Sequence, residues 1–312
     1  MTGQQKREVA RALADMAGQA AVFPDQVMKP YTSMRVGGTA DFFVEVSGEA
    51  VLGALLAWLA AREVPVAIMG NGSNLLVADE GYRGVILRIG AAMAAITREA
   101  DGLTAEAGAS LAAVAQAALK NSLAGLAFAS GIPGSLGGAV AMNAGAYGRE
   151  MKDVVLTTRC LDMNGKPVLL SGSEHQFAYR GSRVQTDGLV VVSARLGLVP
   201  GDPAQIQEEM RDLARRRAEK QPLNFPSAGS TFKRPVGYYS GRLIEDCGLK
   251  GLRVGGAQVS EKHAGFVVNT GEATATDVIT LVEKIRETVL AQTGVVLEPE
   301  VKLLKGDKLC SF

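Results

Sequence analysis

Two glycine-rich segments carry residue types that bring backbone against phosphate: Met69-Gly70-Asn71-Gly72-Ser73-Asn74-Leu75 and Ser130-Gly131-Ile132-Pro133-Gly134-Ser135-Leu136-Gly137-Gly138. Glycines let successive N–H groups converge on an anion with no side chain in the way. Neither segment ends in the Gly-Lys-Ser/Thr of a Walker A loop, and neither has the GxGxxG of a Rossmann nucleotide site. One such cluster alone reads as a tight turn between strand and helix. A second, with matching Asn and Ser donors, shifts the reading toward bound phosphate. The other reactive types offer less. Cys160, Cys247 and Cys310 are odd in number and far apart, without the CxxC spacing of a zinc or redox site. His175 and His263 lack metal-ligand spacing, so no metal site is expected and His263 reads as structural.

These loops need elements to hold them. Helical and strand signals alternate between the glycine clusters: Val51–Ala61 reads as a helix capped by Ser47 or Gly48, Val66–Met69 and Gly84–Ile89 as strands, and Ser110–Lys120 as a helix. Val154–Met163 and Gly188–Leu198 are rich in β-branched residues and read as strands, with turn signals at Asn164-Gly165 and Asp187-Gly188. Asp202-Pro203 opens a helix to about Lys220, proline in its first turn and Arg215, Arg216 and Arg217 in its last. A domain boundary is expected near its start. A further helix begins at Thr276 or Asp277, its apolar Val278, Leu281, Val282, Ile285 and Val289 at helical spacing. A strand over Val295–Leu304 is expected to follow, with Leu297, Val301 and Leu303 on one face and Glu298, Glu300 and Lys302 on the other.

The 312 residues suffice for two or three domains and a large ligand. Lysine plus arginine number 33 against 32 acidic residues, so no net field draws the chain toward nucleic acid or an anionic membrane, and an anionic substrate must be held by local groups. Met1–Ala21 carries Lys6, Arg7, Arg11 and Asp15 among its apolar residues, an amphipathic helix in place of a signal peptide. No run approaches the roughly 18 apolar residues of a membrane span. Cysteine usage fits a reducing cytoplasm.

The ordered motifs resemble one family. They are Tyr31-Thr32-Ser33-Met34-Arg35-Val36-Gly37-Gly38, both glycine loops, Met142-Asn143-Ala144-Gly145-Ala146-Tyr147-Gly148 and Tyr179-Arg180, then Pro226-Ser227-Ala228-Gly229-Ser230-Thr231-Phe232-Lys233, Lys262 through Asn269, and Leu297-Glu298-Pro299-Glu300-Val301. Over nearly its whole length the chain resembles the UDP-N-acetylenolpyruvoylglucosamine reductases, flavoenzymes that make UDP-N-acetylmuramate for peptidoglycan. The short interval between Arg180 and Ser230 is similar to the type without an inserted tyrosine-bearing loop. The resemblance implies an α+β fold: a two-lobed, vanillyl-alcohol-oxidase-like (PCMH) FAD-binding domain over 1–205, with lobes of about 22–90 and 91–205, then a smaller α+β substrate-binding domain over 206–312. It further implies a cytoplasmic monomer acting on a small molecule, with no nucleic-acid partner and no membrane insertion.

The resemblance also implies site residues. FAD would be lined by Arg35, by Gly70, Asn71, Gly72, Ser73, Asn74 and Leu75, by Gly131, Ile132, Pro133, Gly134, Ser135 and Gly138, and by Asn143, Ala144 and Gly145. NADPH is the implied co-substrate, reducing FAD and leaving before the enolpyruvyl sugar nucleotide enters. Protonation of the substrate carbon falls to Ser230, a weak acid that needs nearby charge to serve. The planar fork of Arg180 suits the carboxylate, and Glu300 is expected to orient the acid or polarise the enol beside Arg180. Tyr179, Lys220, Lys233 and Arg234 are the implied substrate contacts. Arg234 stands where many members carry asparagine, which separates the nucleotide contacts from the common pattern; Arg242 and Lys262 are alternative cations. Two other readings of the residues remain at this point: an oxygen-consuming oxidase on the same FAD scaffold, and a non-catalytic flavin or sugar-nucleotide binder.

Overall fold

The amphipathic N-terminus forms a helix over Gly3–Ala17 in a computed structural model that describes residues 1–310. A capping box starts it: the Thr2 hydroxyl accepts from the Gln5 N–H while the Gln5 side chain accepts from the Thr2 N–H. Mixed helices and sheets follow, in an α+β arrangement with two hydrophobic cores.

The chain folds into two compact units, each gathering separate segments. The first comprises Met1–Pro24, Phe42–Asn71 and Gly84–Arg217. Its main sheet is antiparallel, in the order Pro167–Ser171, Val155–Leu161, Val190–Gly197, Gly102–Glu106, Ile96–Glu99. The inward residues of these strands, among them Leu103, Ala105, Cys160, Val190 and Ala194, share a core with Leu111, Val114 and Ala118 of the Leu111–Lys120 helix. Ser110 caps that helix by accepting from the Ala113 N–H, as its sequence suggests. Burial pushes the Cys160 thiol up to about 12, which marks this cysteine as packing and not chemistry.

The second unit comprises Asp25–Asp41, Gly72–Arg83 and the chain from Ala218 onward. In it Lys302–Gly306 runs parallel to the start of the Leu75–Arg88 strand, Lys302 opposite Leu75. Arg253–Val254, Ala257–Val259 and Val267–Asn269 form a small antiparallel sheet. The Ala275–Thr293 helix buries Val278, Leu281, Val282, Ile285 and Val289 in the same core as Ala257, Val259 and Val267.

Two strand expectations differ from what forms. The strand expected from Gly84 begins at Leu75, with Asp79-Glu80-Gly81 lying inside it. Gly81 sits at φ 84° against Thr39, where a Cβ would collide with the Thr39 carbonyl. The strand expected over Val295–Leu304 is regular only over Lys302–Gly306. Pro299 has no N–H for a ladder, so the preceding stretch pairs irregularly. The expected alternation still holds: Leu297, Val301 and Leu303 are buried while Glu298 is exposed and Glu300 and Lys302 are half-buried.

The start of the Ala275–Thr293 helix rests on a carboxylate distant in sequence. Asp79 accepts from the Ala275 N–H at 2.9 Å, from the Thr276 N–H at 2.8 Å and from the Thr276 hydroxyl at 2.6 Å. Burial alone would raise its pKa, but the hydrogen bonds from Thr276 and Ala275 outweigh that and hold the carboxyl below its ordinary range. The stabilisation is therefore present above the ordinary carboxylate pKa and is lost as pH falls through the lower folded value. Asp79→Ala is expected to cost roughly 1–2 kcal/mol near pH 7. In thermal unfolding from pH 7 to pH 3, the gap between wild type and variant should narrow at the acid end; a constant gap would remove the carboxylate charge as its origin.

Candidate active site

In the first unit the two glycine segments meet. A Cβ at Gly70 would collide with the Ser135 hydroxyl, so only glycine allows this approach. Ser135 is buried, paired with Ser110, and followed by the Leu136–Ala141 helix. In the loop before it, the Ile132 N–H donates to Ala129, Pro133 has no N–H, and the N–H groups of Gly131 and Gly134 meet no backbone carbonyl among the described residues. Gly131 and Pro133 are exposed. Small residues, close backbone and available N–H donors fit a phosphate-bearing cofactor.

Past the helix, Asn143 is completely buried with its backbone at φ 43°. Its Nδ2 donates to Glu150 Oε2 and to the Ala178 carbonyl, both at 3.0 Å, and its Oδ1 accepts from the Lys152 N–H at 2.9 Å. Its amide therefore serves the protein. What it holds is the turn that carries Tyr179 and Arg180, closed by mutual hydrogen bonds between Ala178 and Gly181. Arg180 adopts φ 56°, a left-handed conformation costly for an arginine unless its surroundings impose it. On the far side of the turn, the Ser182 hydroxyl donates to the Ala141 carbonyl at 2.8 Å. Glycine loop, short helix and arginine turn thus form one braced assembly. The Arg180 guanidinium lies 5.0 Å from the centre of the Tyr179 ring.

The second unit carries Ser230 and Glu300. Thr231, itself buried, donates its N–H to Gly265, accepts the Val267 N–H on its hydroxyl, and accepts the Glu300 N–H on its carbonyl at 2.8 Å. Asn74 Nδ2 donates to the Glu300 carbonyl at 3.1 Å, and the Asn74 carbonyl accepts from Lys302. Glu300 is thereby clamped on both sides of its backbone, next to the residue that follows Ser230. In a regular strand Ala228, Ser230 and Phe232 would share a face. Here Ala228 and Phe232 are buried and Ser230 is exposed, with Gly229 at φ 79° as the kink that turns the serine outward.

The remaining expected residues divide in the same way. Gly70, Asn71, the 131–138 loop, Asn143, Ala144 and Gly145 belong with Tyr179 and Arg180 to the first unit; Arg35, Gly72, Ser73, Asn74 and Leu75 belong with Ser230 and Glu300 to the second. Ser33 joins two of those motifs, donating its N–H to Gly72 and its hydroxyl to Ser73. Arg35 lies at φ 55°, its carbonyl and that of Met34 held by the buried Asn269 amide.

Among the expected cations, Lys233 is paired with Glu298. Arg234 donates to the Tyr238 carbonyl and stacks 3.9 Å from the centre of the Tyr239 ring, so it organises its own loop. Lys220 is exposed. Of the alternatives, Arg242 pairs with Asp246, while Lys262 donates to the Ala218 carbonyl and lines a cleft of about 620 Å³ with Gln221, Leu223, Phe225 and Gln258. His263 accepts the Gly265 N–H on Nδ1 at 3.1 Å, and burial holds its pKa below the usual value. Among the described residues no group of three His, Cys, Asp or Glu is placed to hold a metal, and no helix is long and apolar enough to cross a membrane.

Residues 40–171 match the model of an FAD binding domain, and residues 221–304 that of the UDP-N-acetylenolpyruvoylglucosamine reductase C-terminal domain. The UDP-N-acetylenolpyruvoylglucosamine reductase of Caldanaerobacter subterraneus subsp. tengcongensis is 47% identical over 296 residues, 95% of this chain and 97% of that one. The chain belongs to the UDP-N-acetylenolpyruvoylglucosamine reductase family. The relative from Clostridioides difficile is 49% identical over 91% of this chain and 93% of its own. Among solved structures, the UDP-N-acetylenolpyruvylglucosamine reductase from Thermus caldophilus superposes with a TM-score of 0.78 at 35% identity, covering 90% of this chain and 98% of that one. Phl p 4.0202, a glucose dehydrogenase, shares the fold at 14% identity and a TM-score of 0.51 over 93% of this chain and 63% of its own. This family member is an oxidoreductase with an FAD-binding domain.

Sequence reasoning missed the bracing groups. Thr231 lies inside the Pro226–Lys233 motif, but a threonine there carries no local signal that its carbonyl joins the Ser230 segment to Glu300. Ser182, Asn269 and the structural use of Asn143 left no sequence signal, since a buried polar side chain cannot be told from a surface one until its partners are placed. Asn143→Ala would strand the Ala178 carbonyl and the Lys152 N–H. It is expected to cost about 2–4 kcal/mol in denaturant unfolding. A cost under about 0.5 kcal/mol would contradict the bracing role.

Proposed function

We propose that the chain reduces UDP-N-acetylglucosamine enolpyruvate to UDP-N-acetylmuramate, with NADPH as reductant and FAD as cofactor. FAD, when bound, supplies the hydride chemistry. The observation that carries the reading is the Ser230 neighbourhood: an exposed hydroxyl turned outward at the Gly229 kink, one residue from a carbonyl that fixes Glu300. Ser230 donates the proton to the substrate carbon. Arg180 binds the carboxylate of the enolpyruvyl group and stabilises the charge that develops there. Glu300 orients the acid, and its fixed backbone gives the side chain a defined starting point.

The proposed division of labour assigns most of the cofactor's contacts to residues 1–205 and those of the sugar nucleotide chiefly to 206–312. The match of residues 40–171 to an FAD binding domain and of residues 221–304 to the family's C-terminal domain supports it. Tyr179, Lys220, Lys233 and Arg234 are the proposed contacts to the sugar nucleotide. Lys220 suits a diphosphate best, since Lys233 and Arg234 are engaged with Glu298 and Tyr239. The enzyme is proposed to work as a cytoplasmic monomer without nucleic-acid partners.

Ser230→Ala separates the two halves of such a reaction. Rapid mixing with NADPH should bleach the flavin at nearly the wild-type rate, while recovery of colour on adding the enolpyruvyl sugar nucleotide should slow by about two to four orders of magnitude. Equal slowing of both halves would remove Ser230 as the proton donor.

A further inference from the structure

The last turn of the Pro203–Lys220 helix holds three consecutive arginines with different fates. Arg215 and Arg216 face solvent and both pair with Asp212, at 2.6 and 2.7 Å. Arg217 does not. The buried stripe of this helix is Ile206, Met210 and Leu213, and the next position on that stripe, at the same spacing of three and four, is 217. Arg217 is thus the inward residue of the turn, half-buried, and it forms no hydrogen bond or ion pair among the described residues.

Its surroundings come from the glycine-rich loop. A Cβ at Gly131 would stand 3.3 Å from Arg217 Cδ and 3.8 Å from its Nη1. Tyr147, whose hydroxyl donates to the Leu213 carbonyl at 3.0 Å, interacts with Arg217 electrostatically. Burial lowers the arginine's pKa, opposed only by that tyrosine. A cation on an apolar stripe, with no carboxylate beside it, is costly unless an anion completes the site. The uncommitted N–H groups of Gly131 and Gly134 lie in that same loop.

We propose that Arg217 binds the diphosphate of the flavin dinucleotide, closing the site that the 131–134 loop begins. This rests on the flavin reading above. The sugar nucleotide also carries a diphosphate, so the two sources need separate arms. Deflavinated protein would be titrated with FAD, with riboflavin, which lacks phosphate, and with UDP. Arg217→Met keeps the length and apolar stem of the side chain.

Arg217→Met is expected to weaken FAD binding about tenfold or more, to leave riboflavin and UDP within about twofold of wild type, and to leave the melting temperature of the apoprotein unchanged or raised. Arg217→Lys should fall between wild type and Met for FAD, and it serves alone if the methionine variant does not fold. Unchanged FAD affinity, a loss confined to UDP, or equal loss for FAD and riboflavin with a lowered melting temperature would each overturn the proposal. Failure of the wild-type protein to bind FAD would instead sink the flavin reading itself.

Discussion

A completely buried amide must find partners for both its N–H groups and its oxygen, and Asn143 finds all of them inside the protein. That constraint sets much of the first unit. Satisfying it fixes the left-handed turn after the glycine-loop helix, the 150–152 segment and the turn that presents Arg180. Glu150 is drawn in twice, accepting from Asn143 and pairing with the Lys152 ammonium at 2.7 Å, which raises the lysine's pKa. Because a half-satisfied network is costlier than none, the positions of the glycine loop and of Arg180 are coupled. The second unit repeats the device with Thr231, whose three hydrogen bonds leave the segments of Ser230 and Glu300 little freedom to part.

Much of this was legible in the sequence because it depends on local rules. Helical spacing placed the Ala275–Thr293 and Leu111–Lys120 helices, and β-branched runs placed the strands over Val155–Leu161 and Val190–Gly197. Ser110 announced its helix as caps do. What local rules cannot reveal is a partner far along the chain. Asp79 caps a helix almost two hundred residues later, and Asp25–Asp41 and Gly72–Arg83 pack with the C-terminal segment although a linear reading sets them among their neighbours. The two misplaced strand boundaries share that origin: the strand from Leu75 runs through Gly81, whose lack of a Cβ lets Thr39 approach, and the stretch around Pro299 is held by backbone hydrogen bonds to Thr231 and Lys233.

The site residues were legible as types and motifs more than as geometry. The outward turn of Ser230 follows from the left-handed Gly229, and a glycine before a serine permits that turn without requiring it. The cations show the limit most clearly. Lys233 and Arg234 have the charge that a diphosphate needs, yet one is committed to Glu298 and the other to Tyr239. Arg217 read only as a favourable charge at a helix end, and its inward position appears once the stripe of Ile206, Met210 and Leu213 is seen to be buried.

The central claim is that this family member uses a bound flavin to pass reducing equivalents from NADPH to an enolpyruvyl sugar nucleotide. Its most direct test follows the flavin absorbance of the wild-type holoenzyme in the absence of oxygen. NADPH should bleach the colour, and stoichiometric UDP-N-acetylglucosamine enolpyruvate should restore it far faster than oxygen does. Recovery with oxygen at a comparable rate, or no recovery with the sugar nucleotide, would contradict the account.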